Sequence, residues 1–168
     1  MSDAGYRFKV ITADTDETVS GLSPEDTVMT LSRRKALAVR PLCSPEDVII
    51  AADTLVFFGD RVLGKPRDRR DAYRMLKELS GSSHRVLTGI TVVRGNKEIT
   101  EYDETRVIFN ELSDGEIQRY IEECNPLDKA GAYGIQEIGD SFVRRIDGDY
   151  NNVVGLPLYR LEKILKEF

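Results

Sequence analysis

Hydrophobic and polar positions change their period several times along the chain, and each change marks an element. Tyr6 to Thr12 (YRFKVIT) alternates with period two, which predicts a strand. Ser23-Pro24-Glu25-Asp26 then supplies an N-cap, a first-turn proline and two acids suited to a helix dipole. The helix it opens is expected to run to about Arg40, where Pro41 stops it. Asp47 to Asp53 carries a continuous apolar run, the pattern of a strand covered on both faces, and Phe58-Gly59-Asp60-Arg61 reads as a hairpin turn. Ala72, Met75, Leu76 and Leu79 form one stripe of a helix from about Asp68 to Ser80, closed by Gly81. Two long strands, Arg85 to Arg94 and Glu98 to Phe109, are joined through Gly95-Asn96. Ser113 caps a helix to about Cys124, a glycine-rich passage leads to a strand from Ser141 to Ile146, and Pro157 to Glu167 closes the chain as a helix. Strands alternating with helices, together with hairpins, predict an α/β fold with a mixed β-sheet flanked by helices.

Composition narrows the classes without naming a function. At 168 residues, with 40% hydrophobic and 32% charged residues, the chain has the makeup of one soluble domain able to bury a core. The N-terminus MSDAGYRFKV lacks the basic-then-apolar layout of a signal peptide, so a cytoplasmic protein without a membrane segment is expected. Cys43, Cys124 and the single His84 have no zinc spacing, which leaves oxygen ligands for any metal. A net charge of -5 argues against binding nucleic acid polymers, while still permitting a local cationic pocket for a phosphate ester.

Four places could carry chemistry. Ala13-Asp14-Thr15-Asp16-Glu17 sets three carboxylates after the first expected strand, where open α/β sheets hold ligands; a solvated acidic loop would look the same. Lys35 shares a helical stripe with Val28, Leu31 and Ala38, so it either snorkels to water or delivers a cation to a pocket. Asp53 closes the apolar run Val48 to Ala52, and a carboxylate in such surroundings needs a partner, a metal or backbone amides. Lys65, before Pro66, is by itself only a loop charge. Acids with two lysines and no Cys/His cluster suit hydrolysis at phosphorus, with a hard cation and ammonium groups neutralising the developing charge.

The segments ADTDE (13–17), AADT (51–54), GKP (64–66), LSGSSHRVLTG (79–89), LDKAGAYGIQ (127–136) and GDYNNVVGLP (148–157) give the chain a specific likeness. It resembles the Maf family of nucleoside triphosphate pyrophosphatases, in consistent order and spacing from about Ala4 to the C-terminus. The resemblance implies one Maf-like domain over residues 1–168, N-terminally shortened, with the Maf/ITPase-like fold and its nucleotide-binding cleft. It also implies cleavage of the α–β bond of a nucleoside triphosphate with a divalent cation, Mg2+ or Mn2+. On that likeness Asp53 is the general base, Glu17 and Asp53 face the metal, and Glu17, Lys35 and Lys65 contact phosphates. Thr54 and Gln136 help choose the base, and ADT with GIQ is similar to the dTTP/UTP branch. Two departures stand out: the family's Ser-x-Ser-Pro-Arg-Arg motif has no counterpart before AGYRFKV, and Ser82 replaces a usual basic residue. The implied partner is a nucleoside triphosphate, with a homodimer as a compatible assembly. A house-cleaning enzyme for pyrimidine nucleotides and a nucleotide-binding regulator of septum formation with little turnover are the two readings that follow.

Overall fold

The computed structural model describes residues 5–168, apart from the side chains at positions 139 and 140. Residues 1–4, at the edge of the N-terminal departure, lie outside the described residues. The first helix, α1 (Pro24–Val39), begins as its sequence dictates: Ser23 Oγ accepts the Asp26 N–H at 3.1 Å and Pro24 takes the first turn. Strands β1 (Ile49–Phe58) and β2 (Arg61–Leu63) form the expected hairpin, pairing Phe58 with Arg61. Next come α2 (Arg69–Leu79), whose stripe Ala72, Met75, Leu76 and Leu79 is buried, and the long hairpin β3 (Ser83–Arg94) and β4 (Lys97–Phe109). Helix α3 (Asp114–Glu123) starts with a reciprocal capping box between Ser113 and Glu116. Helix α4 (Ile135–Phe142), strand β5 (Val143–Asp147), helix α5 (Tyr150–Val154) and helix α6 (Leu158–Leu165) complete the described chain. No helix among the described residues is long and apolar enough to cross a membrane.

The strands form one five-stranded sheet in the order β2-β1-β3-β4-β5. The fold is α/β with flanking helices, and every described pairing is antiparallel rather than mixed. Helix α1 covers one face, where Val28 packs with Phe57 and Leu87, and Ala36 with Ile49 and Val93. The opposite face carries the main core, in which Val56, Val86 and Val107 meet α2, α3 and α4, and a second cluster under α6 around Ile90, Val92, Leu161 and Ile164. Gly89 fixes the depth of α1. A Cβ built there would stand 2.1 Å from the Val28 carbonyl oxygen, so only glycine lets the helix backbone rest on β3.

Three sequence expectations are corrected. Tyr6–Thr12 forms no strand; it runs as coil with Phe8 and Val10 exposed, because alternation supplies a pattern but not a partner edge. The acidic stretch 13–17 therefore follows no strand. Asp53 does not close β1 but sits mid-strand, since β1 continues to Phe58 and the carboxylate is accommodated by a partner from α1. Helix α4 lies in the passage read as glycine-rich loop and reaches into the segment expected to begin the fifth strand, and α5 lies between that strand and the closing helix, where no element was expected.

Candidate functional site

On the α1 face of β1, three predicted residues come together. Lys35 Nζ donates to Asp53 Oδ1 and lies 3.0 Å from Glu17 Oε1. Helix α1 can deliver that ammonium because Lys35 follows Val28 by two turns along the stripe resting on Gly89, and Gly89 is the cross-strand neighbour of Asp53. Asp53 is only 8% exposed, and its second oxygen, Oδ2, is buried without a hydrogen-bond partner. Burial raises the Asp53 pKa above its ordinary value; the Lys35 hydrogen bond and charge oppose this without reversing it. At Lys35 burial works downward, yet hydrogen bonds to Asp53 and Glu17 prevail and its pKa is raised, so the ammonium stays charged.

Glu17 stands on a segment without regular structure, and Arg34 holds it there. One guanidinium nitrogen, Nη1, donates to the carbonyl oxygens of Asp16 and Thr18, both at 2.9 Å, bracketing Glu17. The Asp16 carboxylate accepts the Thr18 N–H at 2.8 Å, closing an Asx turn over the same residue. Consecutive residues of α1 thus divide the work, Arg34 gripping the loop backbone and Lys35 meeting the loop carboxylate.

Strand alternation turns Thr54 to the other face, where a cavity of about 310 Å³ is lined by Thr54, Lys65, Lys129, Tyr133, Gln136 and Gly155 among others. The predicted residues therefore occupy two faces of β1 and not one surface. Beside β2 only Val56–Phe58 of β1 are paired, so among the described residues the Asp53–Thr54 rung has an open edge. Lys65 is the link across it: it lines the cavity, and its charge acts on Asp53. The Gly131 N–H donates to the Gly64 carbonyl at 3.1 Å, fastening the far wall to the Lys65 segment, and Gly131 holds a φ of 69° against the Val56 side chain.

Within LDKAGAYGIQ the sequence marks neither Lys129 nor Tyr133, yet both line the cavity. Lys129 Nζ donates to the Asn125 carbonyl at 2.6 Å and to Asp128 Oδ1 at 2.9 Å, and lies 3.2 Å from Glu137 Oε1. Tyr133 and His84 share a 2.6 Å hydrogen bond in the core, with the two rings and Phe109 packed edge to face. Burial lowers the His84 pKa to about 4, so this histidine is a neutral support for the cavity wall. No sequence signal separated these two residues from their neighbours; only their place on the wall does.

A larger hollow of about 860 Å³ runs along α2 between Arg67 and Glu78, and none of the predicted residues reaches it. Its buried carboxylate, Asp71, is already held by Arg67 at 3.1 Å and Arg74 at 2.6 Å, which leaves it no free oxygen chemistry. No group of three or more His, Cys, Asp or Glu able to hold a metal gathers among the described residues. Glu17 and Asp53 converge on Lys35, and the two carboxylates are an oxygen donor set that fits a hard divalent cation completing its shell with phosphate oxygens and water.

A family profile described as Maf-like protein matches residues 1–168. The dTTP/UTP pyrophosphatase of Bacillus anthracis (strain CDC 684 / NRRL 3495) is 45% identical over 166 residues, covering 98% of this chain and 86% of that protein. Proteins of the same name from Bacillus cereus (strain AH820) and Bacillus thuringiensis subsp. konkukian (strain 97-27) also align over 166 residues at 45% identity, with the same coverage of each chain. With a profile matched from end to end and such relatives, the chain belongs to the Maf-like protein family.

Proposed function

We propose that the protein is a nucleoside triphosphate pyrophosphatase acting on dTTP and UTP, with residues 1–168 as one catalytic unit in the cytoplasm. The observation that carries this reading is the Asp53 carboxylate: one oxygen is held by Lys35 and the other is buried with no partner. A carboxylate of raised pKa, fixed at one end and free at the other, is suited to take a proton from water. Water adds to the α-phosphorus while its proton passes to Asp53 Oδ2. The bond from that phosphorus to the α–β bridging oxygen breaks, and pyrophosphate leaves with the bond electrons, giving the monophosphate.

The base occupies the cavity beside Thr54 and Gln136, and the phosphates cross the open edge of β1 past Lys65 to Lys35. Both ammonium groups neutralise charge on the phosphoryl oxygens and the leaving pyrophosphate. Glu17 and Asp53 are the residues that would hold a divalent cation, Mg2+ or Mn2+, which supplies charge neutralisation at the same oxygens. The Gln136 amide offers a donor and an acceptor, matching the adjacent carbonyl and N–H of uracil or thymine.

Pyrophosphate release measured across dTTP, UTP, CTP, ATP and GTP, with and without Mg2+, tests the reading. Mg2+-dependent turnover with dTTP and UTP ahead of the purine nucleotides is expected. Equal specificity constants for dTTP and GTP, or nucleotide binding with no pyrophosphate released, would overturn it.

A further inference from the structure

Hydrogen-bond accounting behind the cavity fixes what Thr54 can offer a ligand. Thr88, directly across the sheet from Thr54 and fully buried, lies 2.9 Å from the carbonyl oxygen of Asn152 and 2.8 Å from the Thr54 hydroxyl. A carbonyl only accepts, and a threonine hydroxyl has a single hydrogen. Thr88 therefore spends its hydrogen on Asn152, and the bond between the two threonines must have Thr54 as donor. Asn152 cannot swing away to release Thr88. Its Nδ2 donates to the Val86 carbonyl at 2.9 Å and to Thr105 Oγ1 at 3.1 Å, and it is completely buried. The end of this chain faces the cavity: Thr54 is part of its lining, and a Cβ built on Gly155 would stand 3.4 Å from the Thr54 hydroxyl oxygen.

We infer that Thr88 and Asn152 are positioning residues that hold Thr54 as a hydrogen-bond acceptor toward the cavity, so that Thr54 selects nucleotides offering a donor at that point. The inference rests on the cavity being the nucleoside pocket proposed above. Two groups of a uracil or thymine nucleotide carry such a hydrogen, the ring N3–H and a sugar hydroxyl; cytosine has a lone pair at N3 and its donor on the 4-amino group instead. A ligand with a lone pair at the same place would oppose the Thr54 lone pairs, and the hydroxyl could not turn to meet it without breaking its bond to Thr88.

The test is equilibrium binding, which does not depend on turnover, with the uncleavable α,β-imido analogues of UTP, CTP, dTTP and 3′-deoxy-dTTP. UTP against CTP reads the ring hydrogen, and dTTP against its 3′-deoxy form reads the sugar hydroxyl. In the wild-type protein at least one pair is expected to differ by about tenfold in favour of the donor-bearing member, the size of one well-placed polar contact. Thr88→Val keeps the shape and removes the relay, so that preference should shrink to about twofold or less, while Thr88→Ser should preserve it. Should Thr88→Val fail to fold, Thr54→Val against Thr54→Ser asks the same question from the cavity side. Indifference of the wild-type protein to both pairs would overturn the inference, and so would a preference that survives Thr88→Val or Thr54→Val. Loss of pyrophosphate release with these binding preferences intact would instead count against the proposed reaction.

Discussion

The two faces of β1 around Asp53 and Thr54 are one residue apart in sequence and differ in nearly every physical respect. On the α1 face a carboxylate, an ammonium and a second carboxylate meet with little regular structure around Glu17, held by charge and by the Arg34 bracket. On the other face two hydroxyls and a backbone carbonyl form a neutral relay within the core, beside the cavity that Gln136 and Lys65 help to line. Charge can move protons and answer phosphates across some distance; neutral hydroxyls act only at contact and only with the right polarity. On the proposed reading, a strand that alternates its side chains divides these two tasks, with the proposed general base on one face and the proposed base-selecting groups on the other.

The comparison breaks most sharply at Asp53. Asp53→Asn keeps the size of the side chain and removes its basic oxygen, so pyrophosphate release should fall by a factor of at least about 100 while nucleotide affinity changes much less. A steady-state assay beside a binding titration checks this, and substantial turnover in the variant would mean that the charged face does not hold the base. Next in size is Gln136→Glu, which loses the amide donor and adds a negative charge to the cavity lining. Its specificity constant for dTTP and UTP should drop about tenfold or more with the Asp53-dependent pH limb unmoved. An unchanged nucleotide profile would remove Gln136 from the pocket's selectivity.

The pH profile sharpens the contrast further. With Asp53 as the proposed base, activity should need it ionised; burial has raised its pKa, so the acid limb should lie above the ordinary carboxylate range and activity should fall as pH drops through it. Lys35 is the main influence holding that pKa down, and Lys35→Met should therefore move the limb to higher pH. A limb that stays in place or moves to lower pH would detach Lys35 from Asp53. The smallest effect is expected for Arg34→Met, which frees the Glu17 loop but leaves both carboxylates present. The Mg2+ concentration for half-maximal rate should rise about three- to fivefold, the scale of two exposed hydrogen bonds, and the same change made in a Glu17→Gln background should do nothing more.

How much of this could be read in the sequence depended on whether one signal or several pointed at the same residue. At α2 an apolar stripe and a closing glycine agree, and at α3 a serine cap marks the start; the structure follows both closely. Tyr6–Thr12 had only its alternation, and a strand also requires a neighbour with free backbone groups, which no local pattern reports. Asp53 was conspicuous because a carboxylate interrupts an apolar run, and Lys35 because a cation interrupts an apolar stripe. Each anomaly turned out to be the other's partner. The division of Asp53 and Thr54 between two faces follows from their being neighbours in a strand that runs on to Phe58, and β1 had been expected to stop at Asp53. Lys129 and Thr88 carried no anomaly at all: a lysine in a loop and a threonine in a strand are ordinary, and only the three-dimensional partners distinguish them.

Gly89 gives the charged face a property that no charged residue can give it, which is a length. Helix α1 touches β3 backbone to backbone at the rung opposite Asp53, and the span from helix axis to strand is thereby set at its minimum. Lys35 reaches the carboxylate from that height, so the contact between them is gauged by a missing methyl group. Adding one would act like a shim under the helix, parting acid from base while leaving both in place. The gauge cannot drift gradually, because no side chain is smaller than the one already there.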